Sequence, residues 1–302
     1  MKAIMFPGQG AQYSGMGKDL YDNYPLAKEI FNSIDQALGF DLSKKCFFAS
    51  DEELKSTEIQ QLAILAVSLA AYGVYKEKKE RIDYLSGLSL GEYSCLYVAE
   101  VISLSDLVIL VRERARAMQR AAENSPSTMF AVIGAERKLL EEKAKKTEFY
   151  IANINSTNQI VISLAKTMRQ EVKDVLGNDG LRAIELGVSG GFHSPFMEEA
   201  RQHLSKVIEG IDFKEAKTPI LSNFTAKAHT KVDELKNNLI QQLVAPVLWN
   251  DCINFMIDKG VDLFYEIGPS RVLKGLMRKI SPKTEVINLE KKDDFDKIGA
   301  KI

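Results

Sequence analysis

Hydrophobic and polar positions along this chain fall into short apolar runs separated by longer stretches with helical spacing. The first run, Ala3-Ile4-Met5-Phe6, reads as a strand that stops at Pro7-Gly8. Apolar-polar periodicity then predicts helices over roughly 17–38 and 60–77. A short strand at Tyr84-Leu85 leads into Gly87, and a helix follows from about Leu90. Ser103 and Asp106 form an S-x-x-D cap that opens a helix running to about Ala122.

The rhythm changes in the middle of the chain. Residues 128–134 read as a strand, 135–146 as a helix, and 148–154 and 158–163 as two strands joined by a polar turn. A helix at 165–176 and a strand at 181–188 complete the order β-α-β-β-α-β, a self-contained ferredoxin-like unit. We therefore expect an inserted subdomain at 127–191, with 1–126 and 192–302 forming one large α/β domain. In the last third, a helix from Pro195 to about Gly210, a strand at 219–223 and helices at 233–243 and 249–259 precede the strand Leu263–Ile267. A basic helix follows Gly268-Pro269, and the lysine-rich tail after Pro282 reads as solvated surface. Strands that alternate with helices imply a mostly parallel sheet.

Composition narrows the classes. The chain has 302 residues, 45% hydrophobic and 27% charged, enough for one large domain carrying an insert. A net charge of −1 gives no footprint for nucleic acid or an anionic membrane. Cys46, Cys95 and Cys252 lie far apart, without metal or redox spacing. The apolar start is too short for a signal peptide, and the run Leu62 to Tyr75 is too short and mixed to span a bilayer, so a cytoplasmic protein is expected.

Gly87-Leu88-Ser89-Leu90-Gly91 matches G-x-S-x-G between a predicted strand and a predicted helix, the context of an exposed serine nucleophile. The free N–H groups of the helix start would face a developing oxyanion. A serine nucleophile needs a base, usually histidine, and the chain has three. His229 sits in a polar turn and is expected to be exposed. His203 lies at the edge of a helix face. His193 lies in Ser189-Gly190-Gly191-Phe192-His193-Ser194-Pro195, which leaves a strand through two glycines, and is the favoured base. On the 103–122 helix, Arg114 falls within about 20° of Leu107 on the apolar stripe. A cation there needs an anion. Either a substrate carboxylate or an internal partner such as Glu92 satisfies that need. In Phe6-Pro7-Gly8-Gln9-Gly10-Ala11-Gln12, Tyr13 breaks a dinucleotide fingerprint, and Gln9 offers its side-chain amide or backbone N–H to a reacting carbonyl instead.

Six blocks in order resemble the malonyl-CoA:acyl carrier protein transacylases and the acyltransferase domains of fatty-acid and polyketide synthases. They are the Gln9 loop, Gly87 to Tyr93, Arg114-x-x-x-Met118-Gln119, Asn153-x-Asn155-Ser156 with Gln159 to Ser163, Phe192-His193-Ser194, and Tyr265-Glu266-Ile267-Gly268-Pro269. The resemblance implies a hydrolase-like large domain, a Ser89 nucleophile with His193 as base, and an oxyanion hole from the backbone N–H groups of Gln9 and Leu90. It implies that Gln61 lines the pocket, that Arg114 binds a malonyl carboxylate, and that Phe192 follows the malonyl-selective pattern. The family orients its histidine with a backbone carbonyl, and the matching position is Leu248. The implied reaction is ping-pong transfer from malonyl-CoA to a holo acyl carrier protein, with no metal or prosthetic group, by a monomer. The family commonly has histidine at Leu88, proline at Leu62 and Thr157, and glycine at Leu164 and Glu100. Other readings are a polyketide-synthase acyltransferase, a proofreading hydrolase, an α/β-hydrolase esterase, which would want an HGGG-type loop absent here, and a non-catalytic docking protein.

Overall fold

A computed structural model describes residues 1–299; the last three residues of the tail lie outside the described residues. Six strands form one sheet in the order Glu285–Leu289, Leu263–Ile267, Lys2–Phe6, Tyr84–Gly87, Ile220–Leu221, Ala228–His229. Every pairing is parallel except the last. The central strands are buried on both faces, as a sheet covered by helices requires. The chain is thus α/β with a mostly parallel sheet, as the alternating pattern predicts.

The second sheet is antiparallel, in the order Phe149–Ser156, Gln159–Ala165, Ser127–Ile133, Arg182–Glu185. With the helices Arg137–Ala144 and Arg169–Gly177 it follows the β-α-β-β-α-β order and encloses its own core around Phe130, Ile162 and Leu164. A parallel bridge ties the two sheets' surroundings together: Ile154 N–H donates to the Val247 carbonyl and Val247 N–H to the Ala152 carbonyl, both at 2.9 Å.

Several elements differ from expectation. The helix predicted at 17–38 is two helices, Lys18–Asn23 and Pro25–Leu38. Proline excludes the preceding residue from helical backbone, and Tyr24 is extended at φ −126° and ψ 116°. The tail is not solvated surface. Val286 and Leu289 are buried on the sheet's edge strand, and Phe295 is fully buried. Helix Leu42–Phe48 was not expected. The segment expected to be a strand at 219–223 pairs only at Ile220–Leu221, after which the chain bends and buries Asn223. The apolar run at 62–75 belongs to a 20-residue helix, Thr57–Lys76, long and apolar enough by length and composition to cross a membrane. That helix is packed in the middle of the molecule, with every residue from Gln60 to Ala71 buried.

Candidate active site

The strand Tyr84–Gly87 ends in a tight turn that starts the helix Gly91–Val98. Ser89 sits at the apex with φ 51°, a strained value for a side-chain-bearing residue. The turn is possible because a Cβ on Gly87 would lie 1.9 Å from the Gly91 carbonyl carbon. A Cβ on Gly8 would lie 2.3 Å from the Leu88 carbonyl oxygen, so the Gln9 loop packs directly on this elbow. Asn223 clasps the elbow: its Oδ1 accepts from Ser89 N–H at 2.6 Å and its Nδ2 donates to the Gly87 carbonyl at 2.8 Å.

His193 reaches the serine from the segment after the small sheet, also in left-handed backbone at φ 56°. Its Nε2 lies 2.7 Å from Ser89 Oγ. Its Nδ1 lies 2.8 Å from the main-chain oxygen of Gln242, an acceptor only, so Nδ1 carries the proton and Nε2 keeps a lone pair for the hydroxyl. The expectation that Leu248 supplies this carbonyl is corrected. Leu248 precedes the helix Trp249–Asp258, and its carbonyl accepts from Cys252 N–H within that helix. Gln242 ends the helix Val232–Gln242, where carbonyls lack intrahelical donors and carry the negative end of the helix dipole. Burial and the nearby Arg114 charge push His193 down to about 4, against the pull of the Gln242 carbonyl.

Arg114 is 1% exposed. Nη1 donates to Gln61 Oε1 at 2.6 Å, and Nη2 to Ser89 Oγ at 3.0 Å and Gln242 Oε1 at 3.3 Å. The guanidinium lies over the Tyr93 ring, 4.9 Å from its centroid, and Nε has no partner among the described residues. No carboxylate among the described residues lies within 4.0 Å of it. Glu92 instead accepts from Asn223 N–H at 2.9 Å and Gln242 Nε2 at 2.8 Å. Burial raises its carboxyl to about 7, opposed by those two donors and by Arg114.

A cavity of about 310 Å³ opens above Ser89 and His193. Leu88, Gln9 and Gln60 line it from the large sheet's side, and Met129, Asn153 and Asn155 from the small sheet's. Phe192 is on its wall and nearly fully buried. Gln61 is not on the wall: one residue along a helix turns about 100°, so Gln60 faces the cavity while Gln61 is turned away from it and holds Arg114. The side-chain amide of Gln9 donates to Gln60 Oε1 at 2.6 Å, which leaves its backbone N–H. Among the described residues neither that N–H nor that of Leu90 has a protein acceptor, and both flank the elbow. Of the other histidines, His203 bonds Glu113 at 2.9 Å, and His229 is half-buried in a short strand between Thr225 and Glu234 rather than exposed.

Residues 4–291 match the acyl transferase domain family. The malonyl CoA-acyl carrier protein transacylase of Bacillus subtilis is 39% identical over 291 residues, covering 94% of this chain and 92% of that protein. The chain belongs to the malonyl CoA-acyl carrier protein transacylase family. Among solved transacylases, that of Clostridium perfringens superposes with a TM-score of 0.94 at 34% identity, covering 98% of this chain and 95% of that one. A malonyl-transacylase solved in complex with its type II PKS acyl-carrier protein gives 0.94 at 32% identity, covering 98% and 97%. The resemblance read from six sequence blocks is therefore a family membership, and the chain is an acyltransferase of the transacylase type. Sequence reasoning did not find Asn223 or Gln242. Asn223 acts across 134 residues of chain, and Gln242 orients His193 through a main-chain atom that its residue type does not announce.

Proposed function

We propose that this transacylase moves a malonyl group from malonyl-CoA to the phosphopantetheine thiol of an acyl carrier protein through an ester on Ser89. His193 Nε2 takes the hydroxyl proton as Ser89 Oγ attacks the thioester carbonyl. The backbone N–H groups of Gln9 and Leu90 receive the oxyanion. The carbon–sulfur bond then breaks, and His193 returns the proton to the departing sulfur. In the second half-reaction the carrier thiol gives its proton to His193 and attacks the ester, and Ser89 leaves with that proton. The dipole of the helix that ends at Gln242 favours the imidazolium formed in each step.

The observation that carries the malonyl reading is Arg114: a buried guanidinium in contact with the nucleophile's oxygen and with no carboxylate partner among the described residues. A carboxylated acyl group on Ser89 would supply the missing anion, bound by a charge-assisted pair. Leu186, Val188 and Phe192 give the acyl chamber an apolar wall suited to a short chain. We place the reaction in fatty-acid synthesis. The similarity to a transacylase solved in complex with a type II PKS carrier keeps a polyketide carrier as the second reading.

The test is transfer of labelled malonyl from malonyl-CoA to holo carrier proteins of both types. The expected result is a malonyl thioester on the fatty-acid carrier, with Arg114→Ala slowing malonyl loading by at least about thirtyfold, the loss of a buried charged partner at about 2–5 kcal/mol, while acetyl loading stays slow. Free malonate instead of carrier thioester would favour a hydrolase and overturn the proposal. Transfer to the polyketide carrier alone would overturn the pathway assignment.

A further inference from the structure

Behind the elbow, away from the cavity, three side chains that the mechanism does not consume form one closed network. Glu92 is 2% exposed, and Asn223 and Gln242 are fully buried. Both donors that Glu92 receives, Asn223 N–H and Gln242 Nε2, converge on the same oxygen, Oε2. From there the two amides reach the reacting groups. Asn223 holds both sides of the elbow through Ser89 N–H and the Gly87 carbonyl. Gln242 touches three groups. Its Nε2 also donates to the Ser89 carbonyl at 3.2 Å, its Oε1 accepts from Arg114, and its main-chain oxygen accepts from His193.

We infer that Glu92 is a positioning residue that fixes the orientation of the Gln242 carboxamide, and so sets how strongly the site prefers a carboxylated acyl group. A carboxamide has two faces of opposite character, and only its partners decide which way it points. Oε2 of Glu92 takes two N–H donors, so any proton on the carboxyl sits on Oε1 and Oε2 accepts only; Nε2 of Gln242 therefore turns toward Glu92 and Oε1 toward Arg114. With an amide at position 92 the facing group can donate as readily as accept. Gln242 then keeps only two weaker restraints on its orientation, the 3.2 Å bond to the Ser89 carbonyl and the 3.3 Å bond from Arg114, and a flip that sets its N–H groups against the guanidinium becomes accessible. Arg114 would lose an acceptor that aligns it beside Ser89 Oγ, retaining Gln61 alone at Nη1. Networks of this kind tie orientation to remote partners because each buried polar group must be satisfied. The sequence separations, 131 residues from Glu92 to Asn223 and 150 to Gln242, mean that the network also joins distant parts of the chain at the site.

This inference rests on the Ser89 ester and the Arg114 role proposed above. Its test compares the kcat/KM of malonyl and acetyl loading in the full chain for wild type, Glu92→Gln, Gln242→Met and Arg114→Ala, and for Glu92→Gln combined with Arg114→Ala. Thermal melts run alongside. Gln242→Met keeps the main-chain carbonyl for His193 and removes only the carboxamide, so it answers the question if Glu92→Gln does not fold. The expected result is a drop of about tenfold in the malonyl-to-acetyl ratio for each single variant at Glu92 or Gln242. In the Arg114→Ala background Glu92→Gln should change that ratio by less than about twofold, because the two act through one contact. Equal losses for both acyl groups, a loss that merely follows a lower melting temperature, or full multiplicative effects in the double variant would overturn the inference. Absence of a malonyl ester on wild type would instead overturn the reading on which it rests.

Discussion

His193 shows how one residue's surroundings set its chemistry. Burial and the Arg114 charge both favour the neutral imidazole, and hold it down at about 4. A base that must be neutral to accept a proton is therefore ready well below neutrality. The acid limb of kcat/KM for malonyl-CoA should fall near pH 4 rather than near the ordinary histidine value of about 6.5. Arg114→Ala removes a positive charge that opposes protonation, so its limb should move upward in pH. Stopped-flow acylation between pH 4 and 8 checks both. A wild-type limb near 6.5, or a downward shift in the variant, would contradict this electrostatic account. The same scale explains what the sequence could and could not tell. Arg114 stood out because a cation on an apolar stripe is costly. Gln242 did not, because a main-chain carbonyl belongs to every residue, and only the end of a helix leaves it free.

At the scale of elements, the helix Gly91–Val98 follows Ser89, the proposed nucleophile, and has a strained residue just past its end. Glu100 has φ 59°, a backbone that favours glycine, and Val101 N–H closes the cap on the Leu96 carbonyl at 2.8 Å. The ion pair between the Lys217 ammonium and the Glu100 carboxylate is exposed and contributes little. Glu100→Gly should raise unfolding stability by about 0.5–1 kcal/mol by relieving left-handed backbone. Urea denaturation measures it, and a lower midpoint would refute the assignment of strain. Periodicity located most helices and all strands of the small sheet, since both faces of those patterns are set by local burial. It failed where a local rule cut across the pattern. Pro25 split a helix whose apolar spacing runs straight through it. Around Val286-Ile287-Asn288-Leu289, flanking lysines masked a strand that is completed only by pairing with Leu263–Ile267.

For the whole molecule, the two sheets divide the work. The parallel sheet delivers Ser89, the Gln9 loop and Asn223 from the ends of its strands, where α/β sheets place their ligands. The small sheet supplies Met129, Asn153 and Asn155 to the opposite wall and passes the chain on to His193. Asn155 Oδ1 is buried without a partner among the described residues, a free acceptor at the cavity wall. Residue pairs separated by more than 100 positions thus meet at one serine, which sequence motifs suggest and only the fold brings together. On the function proposed above, this serine carries the acyl group. The most direct measurement is the intact mass of the protein after brief mixing with malonyl-CoA, followed by peptide mapping, for wild type and Ser89→Ala. One malonyl adduct on Ser89 is expected, absent from the variant and discharged by holo acyl carrier protein. Transfer that proceeds with no adduct, or an adduct that persists in Ser89→Ala, would contradict it.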